Sequence, residues 1–294
     1  MIRPRPALLL PLALAVAACV EQPPAPLPPP APAPAAPLLA PAFSFEGNRT
    51  QGGLVVGIAP RGATTVTLDS KPVRVAPDGH FLIAFDRDAG PSATVSATLA
   101  DGRTLSETLQ ITPRTWDIQS LPTLPKGTTP TPEFLARRKV ELARIDAARA
   151  LQNASEGWRE QFVWPVTGRI SGVFGSQRIY AGEPGSPHSG VDIARPTGTP
   201  VAAPADGVVI LAAQEPFTLE GRLLMIDHGM GLNSAFLHLS RIDVAEGQRV
   251  TRGQVVGAIG TTGRSTGAHL HWGMKLGDVR IDPQLLAGPM PSQP

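Results

Sequence analysis

Thirty-three prolines and thirty glycines cut this 294-residue chain into short segments, and this limits the fold more than any other feature. Proline removes a backbone donor and clashes inside a helix, while glycine weakens regular elements but permits tight turns. A helix bundle is therefore disfavoured, and a turn-rich, mainly β protein is expected. The length suits one large or two modest domains, each able to bury a core.

The first 18 residues read as an export signal. Arg3 and Arg5 give a positive start, and Ala7 to Ala18 is almost wholly apolar but too short to span a bilayer as a helix. The run ends in Val16-Ala17-Ala18-Cys19, which resembles a bacterial lipoprotein box and implies lipidation at Cys19. Cys19 is the only cysteine, so disulfides and thiolate zinc sites drop out. Val20 to Pro41 is rich in Pro and Ala, a composition suited to an extended spacer. A lipid-anchored chain on the periplasmic face of the envelope is expected. Val20 after Cys19, where a retention signal would have Asp, points to the outer membrane.

Residues 42–112 carry short runs rich in Val, Thr, Ile and Phe, separated by turns at Asp69-Ser70, Asp78-Gly79 and Asp101-Gly102. That rhythm predicts a small immunoglobulin-like β-sandwich, with His80 at a strand edge. A connector over 113–161 follows, with a helix over about 132–151. Thr131 is its N-cap and Pro132 its first residue. Leu135, Leu142, Ile145 and Ala148 recur at helical spacing as the packing face, and Arg137, Arg138, Lys139, Glu141 and Arg144 form the solvated one.

Residues 162–286 read as a second β domain, with strands including Val201–Leu211 and a tail over 287–294. Four of the chain's six histidines lie here in three motifs: His188-Ser-Gly-Val-Asp192, Phe-Leu-His238-Leu-Ser, and Ala268-His269-Leu270-His271-Trp272. His269 and His271 share one strand face because side chains alternate with period two. Prolines 196, 200 and 204 exclude a helix across the first motif, so loop and strand must position His188 and Asp192. A hydrolytic zinc site commonly has three His or carboxylate ligands and one open position. Separate histidines suit the tasks of base and oxyanion donor. Spacing alone leaves open which member of the His269/His271 pair binds metal.

These three motifs, with Pro196-Thr-Gly-Thr-Pro-Val and Gly263-Arg-Ser-Thr-Gly between them, resemble the lysostaphin-type (LytM-domain) zinc peptidases of bacterial cell walls. The resemblance implies an antiparallel β fold with one zinc ion at the floor of an open groove, held by His188, Asp192 and His271. It makes His269 the general base and gives His238 the orientation of water or the stabilisation of the tetrahedral intermediate. The implied reaction is peptide-bond hydrolysis in peptidoglycan stems or cross-links. Phe236 and Gly273 depart from the Tyr and Glu that many relatives carry, which bears on substrate fit. His228 is read as a turn residue bonded to backbone.

The alternative is a wall-binding activator of a separate peptidoglycan amidase. Family members with that role lack ligand residues, whereas all five positions are filled here. A third reading, a structural zinc site, would normally need four protein ligands. Peptidoglycan and a membrane reached through Cys19 are the expected partners, with an envelope protein as a possible third through the N-terminal domain or the helix. A net charge of +2 without basic runs argues against nucleic acid.

Overall fold

The computed structural model describes residues 42–291 except Thr128. The export segment, Cys19 and the Pro/Ala-rich tether lie outside the described residues, as do the last three residues of the tail.

Seven strands open the described chain: β1 (Ser44–Gly47), β2 (Leu54–Ile58), β3 (Ala63–Leu68), β4 (Lys71–Val73), β5 (His80–Ala84), β6 (Ser92–Leu99) and β7 (Thr104–Gln110). They form two sheets, ordered β1-β2-β5 and β4-β3-β6-β7. The sheets close over Val55, Val66, Phe81, Ile83, Val95 and Leu109, giving the β-sandwich that the turn spacing predicts. Alternation drives the closure, since β6 buries Ala93, Val95, Ala97 and Leu99 in turn. Asp69 and Ser70 join β3 to β4 with φ of 45° and 68°, a two-residue turn whose twist suits a hairpin.

β5 is buried on both faces. Phe81 and Ile83 enter the sandwich core, while Leu82 and Ala84, with Leu54 of β2, belong to the core of the region that follows. The sandwich therefore shares apolar surface with the second β region.

That region follows β8 (Ile118–Leu121) and α1 (Pro132–Ala150). Its strands are β9 (Arg169–Gly172), β10 (Gln177–Tyr180), β11 (Glu183–Pro184), β12 (Gly190–Ala194), β13 (Pro200–Ala202), β14 (Gly207–Phe217), β15 (Gly221–Asp227), β16 (Leu232–Ile242), β17 (Arg249–Val250), β18 (Val255–Ile259), β19 (His269–Leu276) and β20 (Val279–Ile281), before the short α2 (Pro283–Ala287). The main sheet is antiparallel, in the order β17-β14-β15-β16-β19-β12-β9. One face packs Val191, Ile193, Leu224, Ile226, Phe236, Leu270 and Trp272 against Trp158, Phe162 and Trp164. Leu270 and Trp272 face that core, so the odd positions His269, His271, Gly273 and Lys275 of β19 line the opposite face.

Two expectations need correction. The run Val201–Leu211 is not one strand, because β13 stops at Ala202 and β14 starts at Gly207. Pro204 has no N–H for a ladder, and its carbonyl instead takes the Val163 N–H at 2.9 Å.

The packing face of α1 also differs from the periodicity. Leu135 and Leu142 are 55% and 42% exposed, whereas Glu141 is buried at 5%. Only Ile145 and Ala148 carry the apolar contact, with Ile210, Leu211, Phe217, Leu223 and Met225 on β14 and β15. The reason is the β14–β15 turn, whose unpaired polar groups need partners. Glu141 accepts hydrogen bonds from the Thr218 backbone N–H (2.7 Å) and hydroxyl. Arg138 makes a two-pronged ion pair with Glu220, both contacts 2.6 Å, and Arg137 donates to the Pro216 carbonyl at 2.6 Å.

Candidate metal centre

Asp192 of β12 stands directly opposite His271 of β19 in the antiparallel ladder, so both side chains rise from the same face. The loop before β12 brings in His188. His188 Nε2 lies 3.0 Å from Asp192 Oδ1 and 3.0 Å from His271 Nδ1, and His271 Nδ1 lies 2.8 Å from the same carboxylate oxygen. Two imidazole nitrogens and one carboxylate oxygen thus converge within 4.8 Å of one another.

Two glycines make the approach possible. A Cβ at Gly172 on β9 would meet Asp192 Oδ2 at 2.5 Å, and one at Gly190 would meet the Trp272 carbonyl at 2.3 Å and His271 Nε2 at 2.9 Å. Neither position has space for a side chain.

Three histidines of the cluster are oriented by backbone carbonyls. His188 donates Nδ1–H to the Val173 carbonyl at 3.0 Å, His238 to Thr262 at 2.8 Å and His269 to Gly267 at 2.8 Å. Each bond fixes a tautomer and leaves Nε2 as the available nitrogen. His269 Nε2 lies 3.8 Å from Asp192 Oδ1, and the His238 and His269 rings are 4.8 Å apart.

His238 reaches this face by an irregularity. Strand alternation after Phe236 and Leu237 would turn it into the apolar core. Instead its backbone has φ of 64°, its N–H bonds to the Glu220 carbonyl, and the ladder slips between Leu239 and Arg241. A bulge of this kind re-aims one side chain. Sequence reasoning missed these backbone supports, Val173, Glu220, Thr262 and Gly267, because a carbonyl leaves no signature in residue type.

Burial alone would raise the Asp192 carboxyl, but hydrogen bonds from His188 and His271 outweigh it and hold the group well below the usual carboxylate range. Burial pushes His238 down to about 4 against the opposing bond to Thr262, and it lowers His271 as well. Burial also opposes the charged form of His188, but there the hydrogen bond and charge of Asp192 outweigh it and raise the group. An anionic carboxylate thus stands between His238 and His271, which burial keeps neutral, and His188, whose protonated form it favours. One hard oxygen and two imidazole nitrogens fit a borderline divalent cation with an open coordination position, whose binding displaces the proton that Asp192 favours on His188.

His228 lies elsewhere. It is fully buried, with Nδ1 2.8 Å from the Asp206 carbonyl and Nε2 2.8 Å from Ser234 Oγ. His80 starts β5, where its Nδ1 lies 3.0 Å from Asp78.

Comparison with known proteins adds the family. The model described as Peptidase family M23 matches residues 186–283. The peptidoglycan DD-endopeptidase ShyA of Vibrio cholerae is 40% identical over 124 residues, 42% of this chain and 27% of that protein. The DD-carboxypeptidase/endopeptidase Mpg of Neisseria meningitidis is 41% identical over 104 residues, 35% of this chain and 24% of that protein. The chain thus spans about a quarter of the length of these curated relatives. A crystal structure from Pseudomonas aeruginosa, described as a peptidase M23, matches 82% of this chain and 96% of its own at 30% identity, with a TM-score of 0.62. Since the family match covers every converging donor, and the Pseudomonas likeness takes in 82% of this chain and nearly all of its own, this chain belongs to peptidase family M23.

Proposed function

We propose that the chain is a zinc-dependent endopeptidase that hydrolyses peptide bonds in peptidoglycan stems or cross-links. The observation that carries this reading is the convergence of His188 Nε2, Asp192 Oδ1 and His271 Nδ1, flanked by two histidines that present Nε2 to the same face. His188, Asp192 and His271 would hold the ion. When bound, zinc lowers the pKa of water toward ~7 and polarises a carbonyl.

The other roles fall to the chain's own groups. His269, held by Gly267, takes the proton of the attacking water at Nε2 and later delivers it to the leaving amine. His238, neutral through burial and with its Nδ1–H given to Thr262, accepts at Nε2 from the attacking water and so holds it in place; stabilising the developing oxyanion instead would need a proton on Nε2. The names of the V. cholerae and Neisseria relatives support a D,D-peptide bond as the target. The first 41 residues support an anchor: lipidation at Cys19 would tether the enzyme to the periplasmic face of the outer membrane, with the Pro/Ala segment spanning toward the wall.

The test incubates the chain from residue 42 onward with diaminopimelate-type sacculi, with and without a zinc chelator, and reads the released muropeptides by mass spectrometry. Zinc-dependent conversion of cross-linked dimers to monomers is the expected result and identifies the bond. Sacculi left intact by the zinc-loaded protein would sink the reading.

A further inference from the structure

Beside the metal centre, on the same sheet face, a cavity of about 210 Å³ opens between α1 and strands β16 and β19. It holds about seven waters at liquid density, room for one side chain rather than a large ligand. It begins at Ser189 and His271 and passes Gly273, which has no side chain to fill the floor. Arg149, Lys275 and Arg280 line it further on, with Asn233 beside them.

The charge here is uncompensated. Among the described residues, the side chains of Arg149, Lys275 and Arg280 form no hydrogen bond or ion pair, and Arg149 Nε is buried without an acceptor. Glu220, the acid on the cavity wall, is already taken by Arg138. Asp146 and Asp278 act on the cluster through space without pairing with it. Burial lowers the Lys275 ammonium, and the charges of Arg149 and Arg280 lower it further. Arg149 in the last turn of α1 complements the helix dipole, but that role needs no buried, acceptor-less nitrogen. Arg280 is exposed to solvent, but Arg149 and Lys275 are half-buried, and like charges partly desolvated together are costly unless an anion joins them.

We propose that this cavity is an anion subsite that receives a carboxylate of the substrate peptide, with Arg149 and Lys275 as the residues that select for it. The proposal rests on the peptidase reading above. Lys275 stands four residues past His271 on β19, about 13 Å along the strand. A peptide extended along β19 covers about 3.3 Å per residue. The selected carboxylate therefore belongs to a long side chain or a chain end a few residues from the cleaved bond. Arginine supplies a fork suited to a carboxylate, and lysine a point charge beside it.

The test measures equilibrium binding of a soluble stem tetrapeptide to the full-length, zinc-loaded chain by calorimetry. Three peptides are compared: one with both carboxylates free, one amidated at the side-chain carboxylate and one amidated at the terminal carboxylate. Lys275→Met and Arg149→Met are each expected to weaken the free peptide about tenfold or more, with Arg149→Lys partly restoring it. One of the two amidated peptides should bind wild type as weakly as the free peptide binds Lys275→Met, which identifies the carboxylate. Binding of the free peptide unchanged within about twofold in a folded Lys275→Met, or equal binding of all three peptides, overturns the proposal, as does no binding to wild type. If Arg149→Met does not fold, Lys275→Met and the amidated peptides decide. Carboxylate-selective binding without cleavage of sacculi would defeat the peptidase reading and leave the subsite standing; cleavage without carboxylate selectivity would do the reverse.

Discussion

Gly172 of β9 and Asp192 of β12 are ladder partners set so close that a Cβ on the glycine would stand 2.5 Å from the Asp192 carboxylate. Gly172→Ala must push that carboxylate off the point it shares with His188 and His271. Supporting contacts of this kind are worth about 10–100-fold in metal affinity. Competition with a chromogenic chelator should show a loss of that size with little change in melting temperature, since Gly172 is half-exposed near a sheet edge. Unchanged affinity would mean that the centre tolerates a displaced Asp192.

His269→Ala and His271→Ala should separate holding the metal from using it. Removing His271 takes away a converging donor, so both zinc content and hydrolysis should fall. Removing His269 should leave zinc content near that of wild type and cut the rate by about 10²–10⁴, the range for a lost acid–base group. Metal analysis beside rate measurements on the same samples checks the split, and a zinc-free His269→Ala would contradict it.

His228 makes stability depend on acid. It is buried and neutral, and its pKa is pushed down to about 4 by burial, against ~6.5 in an unfolded chain. Between those values the unfolded state binds a proton that the native state refuses, so stability is full above about pH 6.5 and declines as the pH falls toward 4. The loss across the window is about 3 kcal/mol. Urea unfolding at several pH values should show this slope flattened in His228→Gln, and an identical slope would assign the acid loss to other groups.

Glu141→Ala should loosen α1 without touching the metal donors. The substitution strands the half-buried Thr218 N–H and frees Arg137 and Arg138 from one partner. An unsatisfied buried donor costs about 1–3 kcal/mol. Faster hydrogen exchange over 132–150 and on the β14–β15 turn is the expected signature. Equal protection in both proteins would show that Ile145 and Ala148 suffice to hold the helix.

The metal-centre residues stood out because motif chemistry and strand period agree for one pair, His269 and His271, which share a face by alternation; His188 and Asp192 were legible only through the family motif, since the register that sets Asp192 opposite His271 is written in neither strand alone. His238 did not follow that rule, since only a left-handed backbone and a ladder slip bring it to the same face. Histidine at a positive φ has no sequence mark. The orienting carbonyls of Val173, Thr262 and Gly267 were equally silent, because every residue type offers one. The apolar spacing of α1 misled for another reason. The hairpin beneath it presents polar groups, so a carboxylate became the better buried neighbour and two leucines were left outside. In β5 the unbroken apolar run did carry information: it suits burial on both faces, but the strands it meets in the second region, β19 and β20, lie nearly two hundred residues away.

That two-sided strand bears on how the molecule can be divided. Leu54, Leu82 and Ala84 cover apolar surface that includes the Trp158 and Phe162 region on the side of the main sheet opposite the metal donors. A fragment beginning after residue 112 would keep every histidine of the centre yet expose that surface to water. Uncovered patches of this kind recruit one another, so the excised fragment is expected to self-associate in proportion to its concentration, and catalytic assays on it would report on aggregates.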